Sequence, residues 1–114
     1  MKIFLLEENE RTAGLITTLF ELKNHVIKRY SKSEDGMLNL EEAINSDCII
    51  CNYSTSESDT TEFISAIREQ NAEVPIILLT GQNTTTIPSS ITVTYDKNSI
   101  NLASFMYSLA CLLA

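Results

Sequence analysis

Four short apolar runs in this chain are each followed by polar residues whose types suit a phosphate-and-metal pocket. Glu7 and Glu8 follow Lys2 to Leu6, Asn52 ends Asp47 to Asn52, Thr80 closes Pro75 to Thr80, and Lys97 comes just after Ile91 to Tyr95. Carboxylates can hold a divalent cation, a hydroxyl and an ammonium can bind phosphoryl oxygens, and a central carboxylate would be the nucleophile. The central residue here is Asn52, an amide. An amide oxygen is a poor nucleophile, and as a Mg²⁺ ligand Asn52 is one negative charge short.

For these groups to meet, the runs that carry them must be strands of one sheet. Lys2 to Leu6 reads as the first strand, and Arg11 to Lys23 follows with Leu15, Ile16, Leu19, Phe20 and Leu22 at helical spacing. His25 to Tyr30 is a second strand, placed at an edge. Glu34 to Ile44, with Met37, Leu38, Leu40, Ala43 and Ile44, reads as a second helix. Asp47 to Asn52 has the apolar middle of a buried parallel strand. After the Ser/Thr-rich stretch Tyr53 to Asp59, either Asp59 or Thr60 is placed to cap a third helix with Phe63, Ile64 and Ile67 inward. Pro75 to Thr80 reads as a central strand with its proline confined to the first position. Ile91 to Tyr95 is a fifth strand and Ser99 to Ala114 a last helix. Strands alternating with helices imply crossover connections and a parallel sheet, so the chain is expected to form one α/β domain over residues 1–114.

The bulk numbers fit. At 114 residues, 44% hydrophobic and 20% charged, the chain has the composition of an ordinary globular domain. Fifteen acidic against eight basic residues give a formal net charge of -7, which disfavours a nucleic-acid surface and favours a basic or apolar protein partner, or a cation. Three cysteines exclude a full disulfide framework. Cys48 and Cys51 spell C-x-x-C, but within one strand that odd separation puts their side chains on opposite faces. Free thiols imply a reducing, cytoplasmic compartment. Polar Glu7 to Arg11 interrupts the apolar start, so no signal peptide is read, and no apolar tract is long enough to span a bilayer.

Taken in order, these segments resemble the receiver domain of bacterial response regulators, the chemotaxis-regulator-like fold. Lys2 to Asn9 resembles the family's opening strand and acidic pair, Asp47 to Asn52 its third strand, Val74 to Gly81 its fourth, and Tyr95-Asp96-Lys97 the segment that ends in its lysine. The resemblance implies a doubly wound, flavodoxin-like, five-stranded parallel sheet of order 2-1-3-4-5. It places Glu7 and Glu8 as metal-side acids, Thr80 as the switch hydroxyl, Lys97 as the phosphoryl-binding ammonium and Asn52 on the phosphoacceptor position.

Against that pattern the chain departs in several places. Besides Asn52, the first acid is Glu rather than Asp, which adds a methylene to a site where Mg²⁺ demands tight octahedral geometry. No proline follows Asn52, and the family's switch aromatic, three residues before the lysine, falls on Thr94, with Tyr95 one place off. Only seventeen positions separate Thr80 from Lys97, and Gly81 to Ser90 is polar, β-branched and broken by Pro88. A fourth helix reduced or missing is therefore expected. The pocket is expected to be degenerate, with no catalytic residue, no metal and no cofactor, Mg²⁺ binding being weak or absent. Glu7, Glu8 and Lys97 then serve as an ion pair propping the loops.

The last helix, Ser99 to Ala114, carries no charged residue. Leu102, Phe105, Met106, Leu109, Leu112 and Leu113 form the stripe expected to pack on the sheet. The opposite side, Ile100, Ala103, Tyr107, Ala110, Cys111 and Ala114, is apolar or small and is expected to form an interface, a homodimer or another protein contact. The leading expectation is an atypical receiver that signals by protein contact and regulates transcription through an effector domain beyond Ala114, DNA binding belonging to that domain. The alternative is a receiver still phosphorylated at Glu7, Glu8 or a nearby hydroxyl. An enzyme of another flavodoxin-like family is disfavoured, because no Gly-rich loop follows the first strand and no Ser-His-acid set is visible.

Overall fold

A computed structural model describes residues 1–53, 57–80 and 93–96, together with Ser104, Tyr107, Leu109 and Cys111. Its elements are β1 (Lys2–Leu6), α1 (Glu10–Glu21), β2 (Val26–Tyr30), α2 (Ser33–Leu38), α3 (Leu40–Ile44), β3 (Cys48–Tyr53), α4 (Glu57–Gln70), β4 (Ile76–Thr80) and β5 (Val93–Asp96). The five strands form one sheet in the order β2-β1-β3-β4-β5, and every pair is parallel. This is the doubly wound α/β sheet expected from the sequence, with β2 at an edge.

Near-continuous apolar strands exist because both faces are covered. Alternation splits them: Ile3, Leu5, Cys48, Ile50, Ile77 and Leu79 pack with Ala13, Ile16 and Phe20 of α1, and Leu109 joins that layer. Phe4, Leu6, Ile49, Cys51, Ile76 and Leu78 pack with Phe63, Ile64 and Ile67 of α4 and Ala43 of α3. Cys48 and Cys51 thus lie on opposite faces, as their spacing requires. Burial pushes both thiols up to about 12, so neither is a thiolate at neutral pH.

The turns follow their residue types. The side chain of Asn9 accepts the Thr12 N–H and caps α1. Asn24, at φ 65°, takes the left-handed position between α1 and β2, which Asn tolerates better than most residues. Asn71 ties the end of α4 down: its Oδ1 accepts the N–H groups of Glu73 and Val74, and its Nδ2 donates to the carbonyl of Ile44 on α3.

Two expectations fail. The single helix over Glu34 to Ile44 is broken into α2 and α3 at Asn39, whose backbone (φ -116°, ψ 32°) leaves the helical region and whose Nδ2 donates to the Asp35 carbonyl. Asn competes for backbone groups in this way, and periodicity alone cannot register it. Gly36 lets α2 approach α4 closely, because an added Cβ there would lie 3.1 Å from Cε1 of Phe63. Without one, α2 rests directly on α4. After the break, Ala43, Leu40 and Ile44 turn inward while Met37 and Leu38 stay 41% and 82% exposed. The third helix starts at Glu57, before the caps placed at Asp59 or Thr60, and Thr60 is instead buried beneath the end of β3. The expected loss of a helix between β4 and β5 falls on 81–92, outside the described residues.

Candidate functional site at the carboxyl ends of the strands

Strand register brings the expected site residues to one edge. Leu6 pairs with Cys51, so Glu7 and Asn52 follow side by side at the ends of β1 and β3. Thr80 ends β4 opposite Tyr53 and Asp96, and Lys97 is the next residue after β5. The Thr80 side chain and Lys97 themselves lie outside the described residues, as do Ile100, Ala103, Ala110 and Ala114 of the last helix. Ligands of open α/β sheets gather at this edge, where the strand order reverses beside β1.

The acidic pair is divided. Glu7 is only 1% exposed, and its Oε2 accepts the Asn9 N–H at 3.4 Å. Glu8 is exposed and lines an open hollow with Asn52, Leu6 and Thr60. The Thr60 hydroxyl donates to the Asn52 carbonyl at 3.5 Å, which ties the start of α4 to the end of β3. Two carboxylates in such different surroundings do not act as one cation site. Among the described residues no group of three or more His, Cys, Asp or Glu is arranged to hold a metal ion. The donor set agrees: one carboxylate is enclosed, and the central ligand is a neutral amide. The described residues at this edge do not make a fitting Mg²⁺ set.

Sequence reading missed Arg29. From β2 its guanidinium reaches over the β1–α1 loop, where Nε and Nη2 donate to the Glu7 carbonyl at 3.0 and 2.8 Å and Nη2 also reaches the Glu8 carbonyl at 3.4 Å. Nη1 pairs with the Glu10 carboxylate at 3.2 Å, but Glu10 is nearly fully exposed, so that ion pair contributes little. A planar fork on the backbone of the acidic loop fixes its course. The available signal was a basic residue one position from the end of β2, where β1 ends alongside; only the pairing of β1 with β2 reveals what it reaches.

At the other end of the sheet, Lys23 follows α1 and holds its ammonium 4.6 Å above the Tyr107 ring. Its hydrogen bond to Tyr107, and next the nearby Cys111, raise its pKa. Tyr107 is 48% exposed and Cys111 is exposed, whereas Leu109 is half-buried against the α1-side core, as expected of the opposite stripe. Among the described residues no helix is long and apolar enough to cross a membrane.

No protein-family model matches the sequence, and no curated protein matches it either. The fold, by contrast, has many counterparts. The chain superposes on HP1043, an orphan response regulator of H. pylori, with a TM-score of 0.78 at 16% identity, covering 100% of this chain and 97% of that one. The Mn²⁺-bound form of response regulator Rcp1 gives a TM-score of 0.82 at 13% identity, with 98% and 93% covered. An atypical orphan response regulator described as having a phosphorylation-independent regulatory mechanism gives 0.74 at 16% identity, with 95% and 90% covered. The chain therefore has the fold of response regulator receiver domains. The solved structures it is similar to are signalling modules.

Proposed function

We propose that this chain is an atypical receiver domain that works in signal transduction through protein contact, independently of aspartyl phosphorylation. The observation that carries the reading is Asn52 at the end of β3, beside Glu7 at the end of β1, where an acceptor carboxylate would have to stand. The enclosed Glu7 and the Arg29-held loop support it: the acidic segment is stabilised by the protein's own cation. Thr80 and Lys97 complete the degenerate pocket in this reading. The chain is not an enzyme, acts in the cytoplasm, and passes its signal to an effector domain that regulates transcription. Incubation with acetyl phosphate and Mg²⁺, followed by intact-mass measurement, should return only the unmodified chain. A stable phosphorylated species that disappears in Glu8→Gln or Glu7→Gln would instead establish an unconventional acceptor in a phosphorelay.

In the same proposal the contact is a homodimer through the last helix, with Ile100, Ala103, Tyr107, Ala110, Cys111 and Ala114 at the interface. The exposure of Tyr107 and Cys111 supports this. Sedimentation should show wild type dimerising at micromolar concentration and Tyr107→Glu sedimenting as a folded monomer, because a carboxylate in an apolar interface lacks a partner. Leu109→Glu should unfold the domain, since Leu109 packs against the core. A wild type that stays monomeric at high micromolar concentration excludes this interface.

A further inference from the structure

Two apolar side chains at the end of α2, just before the break at Asn39, remain outside the core. Met37 and Leu38 stand exposed at the end of α2, and with Leu6 they form the apolar part of the hollow beside Asn52. Its volume is about 740 Å³, enough for several side chains of a bound segment. The charged groups around it are Glu8, Glu34 and Glu62 against Lys32, three carboxylates to one ammonium among the described residues. The whole chain carries a formal net charge of -7.

An apolar floor within an acidic rim is complementary to a side chain with an aliphatic stem and a cationic head. Lys and Arg lay their methylenes along apolar surface while the charged end reaches a carboxylate. A free multivalent cation does not suit the hollow, because among the described residues no three acids converge as ligands. We propose that this hollow is a docking surface for a basic amphipathic segment of a partner protein, its apolar residues seated on Met37 and Leu38 and its lysines or arginines facing Glu34, Glu62 and Glu8. The pairing is helix-in-groove recognition, in which apolar anchors supply affinity and rim charges supply orientation and speed of encounter. The inference rests on the reading that the chain acts by protein contact. It concerns the edge beside Asn52, and its test leaves the last helix untouched, so either interface can fail without the other.

The test is fluorescence anisotropy of the full 114-residue chain against a fluorescein-labelled peptide made of repeats of Leu-Lys-Lys-Leu-Leu-Lys-Leu. Two double variants probe the floor and the rim, Met37→Ser with Leu38→Ser and Glu34→Gln with Glu62→Gln. A third, Glu21→Gln with Glu69→Gln, removes the same charge from the exposed ends of α1 and α4. Floor and rim variants should each weaken binding by about fivefold or more, which corresponds to about 1 kcal/mol, and the distant pair by less than about twofold. A companion peptide with every leucine replaced by serine should bind at least about fivefold more weakly, since charge alone does not fill the apolar floor. Equal weakening by the distant pair, equal affinity for the serine peptide, or no saturable binding would each overturn the proposal. All substituted side chains except that of Met37 are well exposed, and circular dichroism of each variant should match wild type; the rim pair alone still decides the outcome if the floor variant loses its fold.

Discussion

Phe63→Ala should lower the unfolding free energy by about 3–5 kcal/mol, read as an earlier urea midpoint with an unchanged slope. Phe63 is fully buried, packs against Phe4 of β1 with ring centroids 5.8 Å apart, and meets the bare backbone of α2 at Gly36. Three elements therefore close on one ring. Its removal opens a cavity that α2 cannot fill without sliding along α4, because the six-residue α2 is followed at once by the turn at Asn39. The same titration carries its own control. Leu38→Ala, at 82% exposed, should stay within about 0.5 kcal/mol of wild type. A loss of several kcal/mol there would mean that Leu38 is packed, which would also remove the apolar floor of the docking surface.

Arg29→Ala should cost about 2–3 kcal/mol and should loosen the β1–α1 loop more than it loosens the domain. The guanidinium makes two well-formed bonds to the Glu7 carbonyl and a longer one to that of Glu8, and charged hydrogen bonds contribute about 1.5–3 kcal/mol each when sheltered. Arg29 is one-quarter exposed, which reduces that sum. Hydrogen exchange should locate the effect: the amides of Glu8, Asn9 and Glu10 should exchange faster while those of β3 stay protected. Arg29→Lys should recover less than half of the loss, because an ammonium cannot place two donors on one carbonyl from that direction. Glu10→Gln should change stability by less than about 0.5 kcal/mol, since its carboxylate is nearly fully exposed. An Arg29→Ala protein with an unchanged exchange pattern would show that the loop is held by its own turn, and the account of a protein-supplied cation would fall.

How much of this was legible beforehand depends on the range of the interaction. β1 matches its expected bounds, because four apolar residues between the charges of Lys2 and Glu7 leave no competing period. The inward stripe of α4 at Phe63, Ile64 and Ile67 was equally readable, since helical spacing and a two-sided sheet demand it. The α2–α3 segment was misread for a local reason. Asn39 ends α2 by donating to the Asp35 carbonyl, and the close approach of Gly36 to Phe63 is a long-range contact that spacing does not record. The opposite faces of Cys48 and Cys51 are legible too, because a strand's alternation is as strict in sequence as in space.

The site divides in the same way. The sequence by itself determined that Glu7, Glu8, Asn52 and Thr80 end or follow strands of a parallel sheet, because alternation of strand and helix leaves few topologies. It also determined that Asn52 is an amide, a chemical fact no fold can change. Only the tertiary structure decided that Glu7 is enclosed while Glu8 lines the hollow, that Arg29 crosses from the edge strand to grip the acidic loop, and that Met37 and Leu38 remain outside. Each of those outcomes depends on which strand lies beside which and how closely a helix can approach. Residue type and spacing carry no record of such neighbours until the sheet has brought distant segments into contact.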